Sequence, residues 1–509
     1  MNSGDTAWVL VSAALVLLMT PGLAFFYGGM VRDKSVLNML MMSIGSIGVV
    51  GVVWLLYGYS AAFGPDLGGG LLGDPAHNFG LAGLLGAGSL QQTVPTAAYV
   101  AFQGMFAIIT VALISGAIAD RARFGPWLVF VALWVTVVYL PVAHWVFNAD
   151  TVDAAGNVVQ HGGWIVNQLG AVDFAGGTAV HINAGTAGLA LALVLGRRIG
   201  WPGEPMRPHN VPLVMLGAGL LWFGWFGFNA GSALAAGTTS AVVFVTTLGA
   251  TCAAVLGWML VERLRDGRAT TLGAASGIVA GLVAITPACA AVTVPGALAV
   301  GLVAGVLCAL AVGLKYRLGF DDSLDVVGVH LVGGLVGTLL IGLLASDSAP
   351  AGVRGLLYGG GFDQLGRQAL AAGAVLAYSL VLTLALGFLL RVTIGFRLPA
   401  QREIDGVDGT EHAETAYHFG GGTHRRTGAE SRIPAAQTAG GTAAARTAAG
   451  QTSTTRTTET QSPGIPNAEP GSRETQTPEI QTPETQTQES RTSEAQSPAD
   501  RGTAKQETP

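Results

Sequence analysis

Long apolar runs recur along the first four-fifths of the chain, separated by short polar stretches. Eleven windows reach the ~20 residues that a membrane-spanning helix needs. They are 7–31, 35–62, 96–119, 125–147, 174–196, 212–231, 239–262, 271–291, 295–314, 326–345 and 367–394. The pattern predicts an all-α polytopic membrane protein with eleven transmembrane helices. The first window runs from Ala7 past Pro21 to Val31 with Asp5, not a basic cluster, before it, so it reads as a retained span and not a cleaved signal. Many of the 74 glycines fall inside the windows. In a bilayer such small residues let helix backbones approach closely.

Charge sharpens the picture. Residues 1–400 hold 16 basic and 16 acidic side chains, and residues 401–509 hold 10 and 15, so the net charge of −5 lies in the C-terminal part. Only 11% of the chain is charged, against roughly 25% in soluble domains. That excludes one soluble globular enzyme and a basic nucleic-acid binder. Alternate loops carry Arg32, Lys34, Arg121, Arg123, Arg197, Arg198, Arg207, Arg263, Arg265, Arg268, Lys315 and Arg317, whereas the other set holds only Arg354, with Arg367 opening the last window. The positive-inside rule then sets the N-terminus outside and the C-terminus in the cytoplasm of a cell membrane. An odd number of spans demands opposite ends. The external loops 63–93 and 148–163 either cap a pore mouth or only connect. Cys252, Cys289 and Cys308 lie in apolar stretches with no zinc or disulfide spacing.

Two segments match across the core. Asp173 precedes His181 by eight residues at the start of the fifth window, and Asp322 precedes His330 by eight at the start of the tenth, each ending Val-His. Five spans separate them, so their helices run in opposite directions. This is a five-plus-five inverted repeat of the transporter kind, with its site near the midplane. Eight helical residues carry each histidine ~12 Å inward, so the pair can meet. Histidine within a span points to function. A metal would need further ligands, and no third His or Cys is placed to supply one. Asp173 and Asp322 suit helix N-caps, and direct cation binding by Asp173 is the rival use.

The residues Asp173 to Asn183 (DFAGGTAVHIN), Trp225 to Ser232, Thr286 to Cys289, Asp325 to His330 and Ala101 to Ala107 occur in that order. Together they closely resemble the motifs of the ammonium transporter (Amt/Mep/Rh) family, over about residues 6–418. The resemblance implies a homotrimer in the lipid bilayer, one pore per protomer, no cofactor and no enzymatic activity. It implies that Phe102, Ser232, Trp164 and Trp225 recruit ammonium outside, that Phe106 and Phe228 stack as a gate, and that His181 and His330 line the passage. Asp173, Asp322, Asp325 and Thr286 would order the vestibule and helix starts. The family's mouth tryptophan has no direct match because an insertion lies there. Trp145, Phe147 and Trp164 are the candidates, and Trp164 is favoured for lying nine residues before Asp173. A membrane receptor that reports ammonium with little flux is the competing class.

Three regions result: a membrane domain at 1–397, a cytoplasmic regulatory segment at 398–419, and a low-complexity tail at 420–509 that is expected to be disordered. The family resemblance at Gln401 to Tyr417 implies coupling between protomers and a PII-type signalling partner.

Overall fold

The structure, a computed structural model, describes residues 1–86 and 88–417. The 420–509 tail and the last two positions of the 398–419 segment lie outside the described residues. Ten helices are long and apolar enough to cross a bilayer. They are α1 (Ser3–Met30), α2 (Val36–Phe63), α3 (Thr96–Ile118), α4 (Phe124–Phe147), α5 (Gly177–Leu195), α6 (Val211–Gly231), α7 (Thr238–Asp266), α9 (Val294–Leu318), α10 (Val327–Leu344) and α11 (Asp363–Thr393). The eighth window gives a shorter helix, α8 (Thr271–Ile285), not the 271–291 span the hydropathy suggests. The cause is local. Pro287 has no N–H to continue the helix.

Helix directions alternate between a first face, where α1 begins, and a second face, where α11 ends. α1 packs along α6, α7 lies between α8 and α9, and α11 lies across α5 and α10. On the first face two hairpins form, Leu90–Gln91 with Val94–Pro95 and Thr151–Val152 with Val158–Gln160. They belong to the two loops that the sequence left as caps or connectors, and both line one large cavity described below.

The 398–417 stretch docks on the second face through carboxylates. It forms α12 (Ala400–Asp405) and α13 (Val407–Glu411). Asp408 accepts the Leu37 and Asn38 amides at 3.0 and 2.8 Å, at the start of α2. Glu411 accepts the Phe124 amide at 2.9 Å, at the start of α4. Glu403 accepts the Ile199 amide at 2.7 Å and pairs with Arg397. Orphan N–H groups at helix starts favour such anionic acceptors.

Candidate functional site: a histidine-lined passage under an aromatic mouth

The site begins with two helix starts on opposite faces. Asp173 Oδ1 accepts the amides of Gly176 and Gly177 at 2.8 and 2.6 Å. Its Oδ2 accepts those of Thr178 and Ala179 at 2.8 and 3.3 Å, and the Thr178 hydroxyl as well. On the second face Asp322 accepts the amides of Val326 and Val327 at 3.1 and 2.7 Å. Burial pushes the Asp322 carboxyl above the usual carboxylate range, against the pull of Lys315. Both helices open on a widened turn, Gly177–Ile182 and Val327–Leu331, and each histidine sits in that turn.

Small residues bring the two turns together. A Cβ on Gly185 would lie 2.3 Å from the Leu331 amide nitrogen, and one on Gly334 would lie 3.0 Å from the Ile182 side chain. Each glycine stands four residues after its histidine and touches the residue following the other one. The contact is reciprocal, as an inverted repeat requires. The sequence reading missed this pair. A small residue at the fourth place after each histidine was the available signal.

The result is one aromatic column. Phe106 and Phe228 lie 4.3 Å apart by ring centroid, Phe228 stacks on His181 at 6.0 Å, and His181 on His330 at 5.4 Å. The two Nδ1 atoms are 3.4 Å apart. Only one of them can carry the proton of such a contact. Hence one ring keeps a bare Nε2 and the other presents an Nε2–H. His181 Nε2 is buried with no partner among the described residues. The slot beside the pair is about 10 Å³, lined otherwise by Met19, Leu23, Phe26, Leu113 and Trp225 among other apolar side chains. That is the lower limit for holding one water.

Above Phe106 opens a cavity of about 780 Å³ on the first face. Phe147, Phe174, Ser232, Asp173, Tyr99 and Gln103 face it. The Ser232 hydroxyl donates to the Phe228 carbonyl at 2.8 Å, which leaves its oxygen lone pairs for another donor. Phe102 is fully buried off the cavity, edge-on to Phe106 at 4.9 Å.

Several predicted positions stand elsewhere. Trp164 does not border the cavity; it packs on Trp145 at 5.9 Å, and Trp145 donates to the Leu71 carbonyl. The insertion explains this: Gly163 bonds back to the Asn148 carbonyl at 2.7 Å, so the hairpin between them loops out and leaves Trp164 behind the mouth. Of the three candidates, Phe147, directly before the insertion, is the one that borders the cavity. Trp225 lies below the Phe106–Phe228 pair, stacked on His181 at 5.4 Å, and not at the mouth. Its N–H donates to Thr286 Oγ1 at 2.8 Å, so Thr286 also lies deep. Asp322 and Asp325 stand on the second face, where Asp325 pairs with Lys315 at 2.6 Å, away from the first-face cavity. Among the described residues no cluster of His, Cys, Asp and Glu could hold a metal.

Comparison with known proteins agrees along nearly the whole described chain. A family model, the Ammonium Transporter Family, matches residues 7–417. An ammonium transporter of Mycobacterium tuberculosis (strain H37Rv) is 64% identical, covering 82% of this chain and 91% of the relative. One of Corynebacterium glutamicum is 44% identical, covering 85% and 94%. Among solved structures, Saccharomyces cerevisiae Mep2 aligns with a TM-score of 0.72 at 37% identity, over 79% of this chain and 88% of that one. A structure described as a sensor Amt protein aligns with a TM-score of 0.72 at 30% identity, over 80% and 98%.

Proposed function

The chain belongs to the ammonium transporter family, and on that premise we propose that it takes ammonium from the first face, deprotonates it, and conducts ammonia past His181 and His330. The observation that carries this reading is the Nδ1–Nδ1 contact of 3.4 Å at the floor of a closed aromatic column.

Ammonium and potassium are nearly equal in size and charge, so diameter cannot separate them. At the mouth, Phe106 and Phe147 offer ring faces to a cation and Ser232 offers an acceptor oxygen. A desolvated cation gains ~2 kcal/mol or more from such a face. Potassium gains too, so this step concentrates cations and does not select. Selection follows at the slot. A bare cation there loses its water and finds mostly carbon around it, a cost of several kcal/mol. Ammonium escapes the cost by breaking one N–H bond and giving that proton to water in the first-face cavity, ammonia takes a proton from water again beyond the second face, and potassium has no proton to give. Ammonia then meets one Nε2 acceptor and one Nε2–H donor, and both match its hydrogen bonds.

The first face is external in this reading and the second cytoplasmic, from the bias of basic loops. The protein works as a homotrimer in the cell membrane, and the docked 398–417 segment is its regulatory end, open to a PII-type partner. The sensor reading rests on the likeness to the sensor Amt structure; the intact histidine pair weighs against it.

Uptake of labelled methylammonium into proteoliposomes tests the choice. The expected result is saturable uptake well above empty liposomes, with rubidium excluded. Uptake no greater than in empty liposomes defeats the transport reading and leaves the sensor.

The mouth ring has its own test. Phe147→Trp gives a stronger cation-binding face. The expected result is a few-fold lower half-saturation concentration for ammonium, and Phe147→Ala should raise it. Unchanged half-saturation in both variants would place recruitment elsewhere.

A further inference from the structure

We propose that Asp150, on the inserted hairpin, is an outer capture residue that draws ammonium into the first-face cavity before the aromatic mouth binds it. The proposal rests on the transport reading above, and three observations support it.

The first is position. The hairpin closes where Gly163 bonds back to Asn148, and its strands pair Thr151 with Gln160. Asn148, Ala149, Asp150, Thr151, Val152 and Gln160 all border the cavity of about 780 Å³. The insertion is therefore one wall of the mouth, and Asp150 stands three residues after the ring of Phe147.

The second is a free acceptor on a fixed side chain. The Asp150 amide donates to Asn167 Oδ1 at 2.8 Å, and its own Oδ1 accepts the Gly162 amide at 2.7 Å. Its Oδ2 has no hydrogen-bond donor among the described residues. His161 Nδ1 stands 3.9 Å from that oxygen, beyond hydrogen-bond reach, on a largely exposed side chain. The Asp150 side chain is itself 25% exposed, so it is held in place without being sealed from water. Asp173, the other carboxylate at the cavity, has no such capacity. It already takes four amides and a hydroxyl, and a carboxylate offers about four lone pairs.

The third is the sign of the charge. Asp150 and Asp173 border the cavity, and among the described residues no lysine or arginine does. A cleft lined by charge of one sign raises the local concentration of the opposite ion. Potassium is drawn in as well, so Asp150 sets how much cation reaches Phe106 and does not sort it. Capture precedes the loss of water and proton at the slot. It therefore acts on half-saturation and leaves the maximal rate alone.

The test measures initial rates of labelled methylammonium uptake into proteoliposomes against its concentration, at two ionic strengths. Charges act over ~30 Å at 0.01 M salt and over only ~3 Å at 1 M. Asp150→Asn keeps an acceptor oxygen for Gly162 and removes only the charge. The expected result is a half-saturation concentration about threefold higher at the low salt, an unchanged maximal rate, and no difference at the high salt. Asp150→Glu should match the wild type. His161→Lys sets a permanent positive charge beside the intact carboxylate and should behave as Asp150→Asn does. Wild-type half-saturation at low salt in Asp150→Asn or His161→Lys overturns the proposal. A rise that persists at high salt, or a lower maximal rate, would make Asp150 a brace of the hairpin and overturn it as well. Saturable uptake by the wild type is measured first, so a null result in the variants counts against Asp150 alone. Absent wild-type uptake defeats the transport reading and this proposal with it.

Discussion

Replacing His330 with alanine is expected to cut ammonium uptake at least tenfold, and His181→Ala should do the same. Each change leaves the other ring's Nδ1 buried without the neighbour it now has at 3.4 Å. An unpaired buried polar group costs ~1–3 kcal/mol, and the acceptor–donor pairing offered to ammonia is lost with it. The removed imidazole also enlarges a slot that is now about 10 Å³, so water can enter and lower the barrier to cations. A potassium current should therefore appear as ammonium uptake falls. Because the rings share one contact, the double variant should be no worse than either single one. Labelled methylammonium uptake and the proteoliposome current under a potassium gradient read the two effects. Wild-type ammonium flux with potassium still excluded in both single variants would end the twin-histidine role.

Gly185→Val is expected to be nearly as damaging although it touches no substrate. The added Cβ would sit 2.3 Å from the Leu331 nitrogen and 2.7 Å from its Cα. Both are backbone atoms and cannot swing away, so α5 and α10 must part. Overpacking of this kind costs about 1–3 kcal/mol, and the parting also pulls His181 from His330. A lower Tm in detergent together with lost uptake is the expected result. Gly373→Val on α11 is the matched control, since nothing lies within 4 Å of its would-be Cβ. Normal uptake by the Gly185 variant would show that the histidine contact does not depend on this close approach.

Much was legible in the chain alone. Apolar length predicted the membrane helices because a bilayer sets one thickness and tolerates little charge. The Asp-to-His spacing, met twice and five spans apart, predicted two helices of opposite direction. The structure adds that each aspartate accepts the first amides of its helix, and that the rings meet. Phe106, Phe228, His181 and His330 form one column, in the order their motifs suggested.

Most of what was not legible has one physical cause: proximity across the fold is not proximity along the chain. Trp164 was favoured because it stands near Asp173 in sequence, yet the hairpin after Asn148 closes on itself, and of the three candidates Phe147 is the one that borders the first-face cavity. Trp225 and Thr286 lie in motifs that read as mouth, but α6 carries Trp225 inward, below the ring pair. α8 ends at Ile285 because Pro287 cannot continue its hydrogen bonds, while hydropathy runs on past it.

The sequence by itself determined that this is a many-span membrane protein, which loops share a side, and which residue types stand at the start of the two repeat helices. Those properties follow from composition and local spacing, which every fold of the chain would keep. Only the tertiary structure decided which of the three candidate rings borders the first-face cavity and how close the two histidines come. The first depends on where the Asn148–Gly163 hairpin folds back, and the second on backbone approach between segments over a hundred residues apart, allowed at Gly185 and Gly334 because neither has a side chain to prevent it.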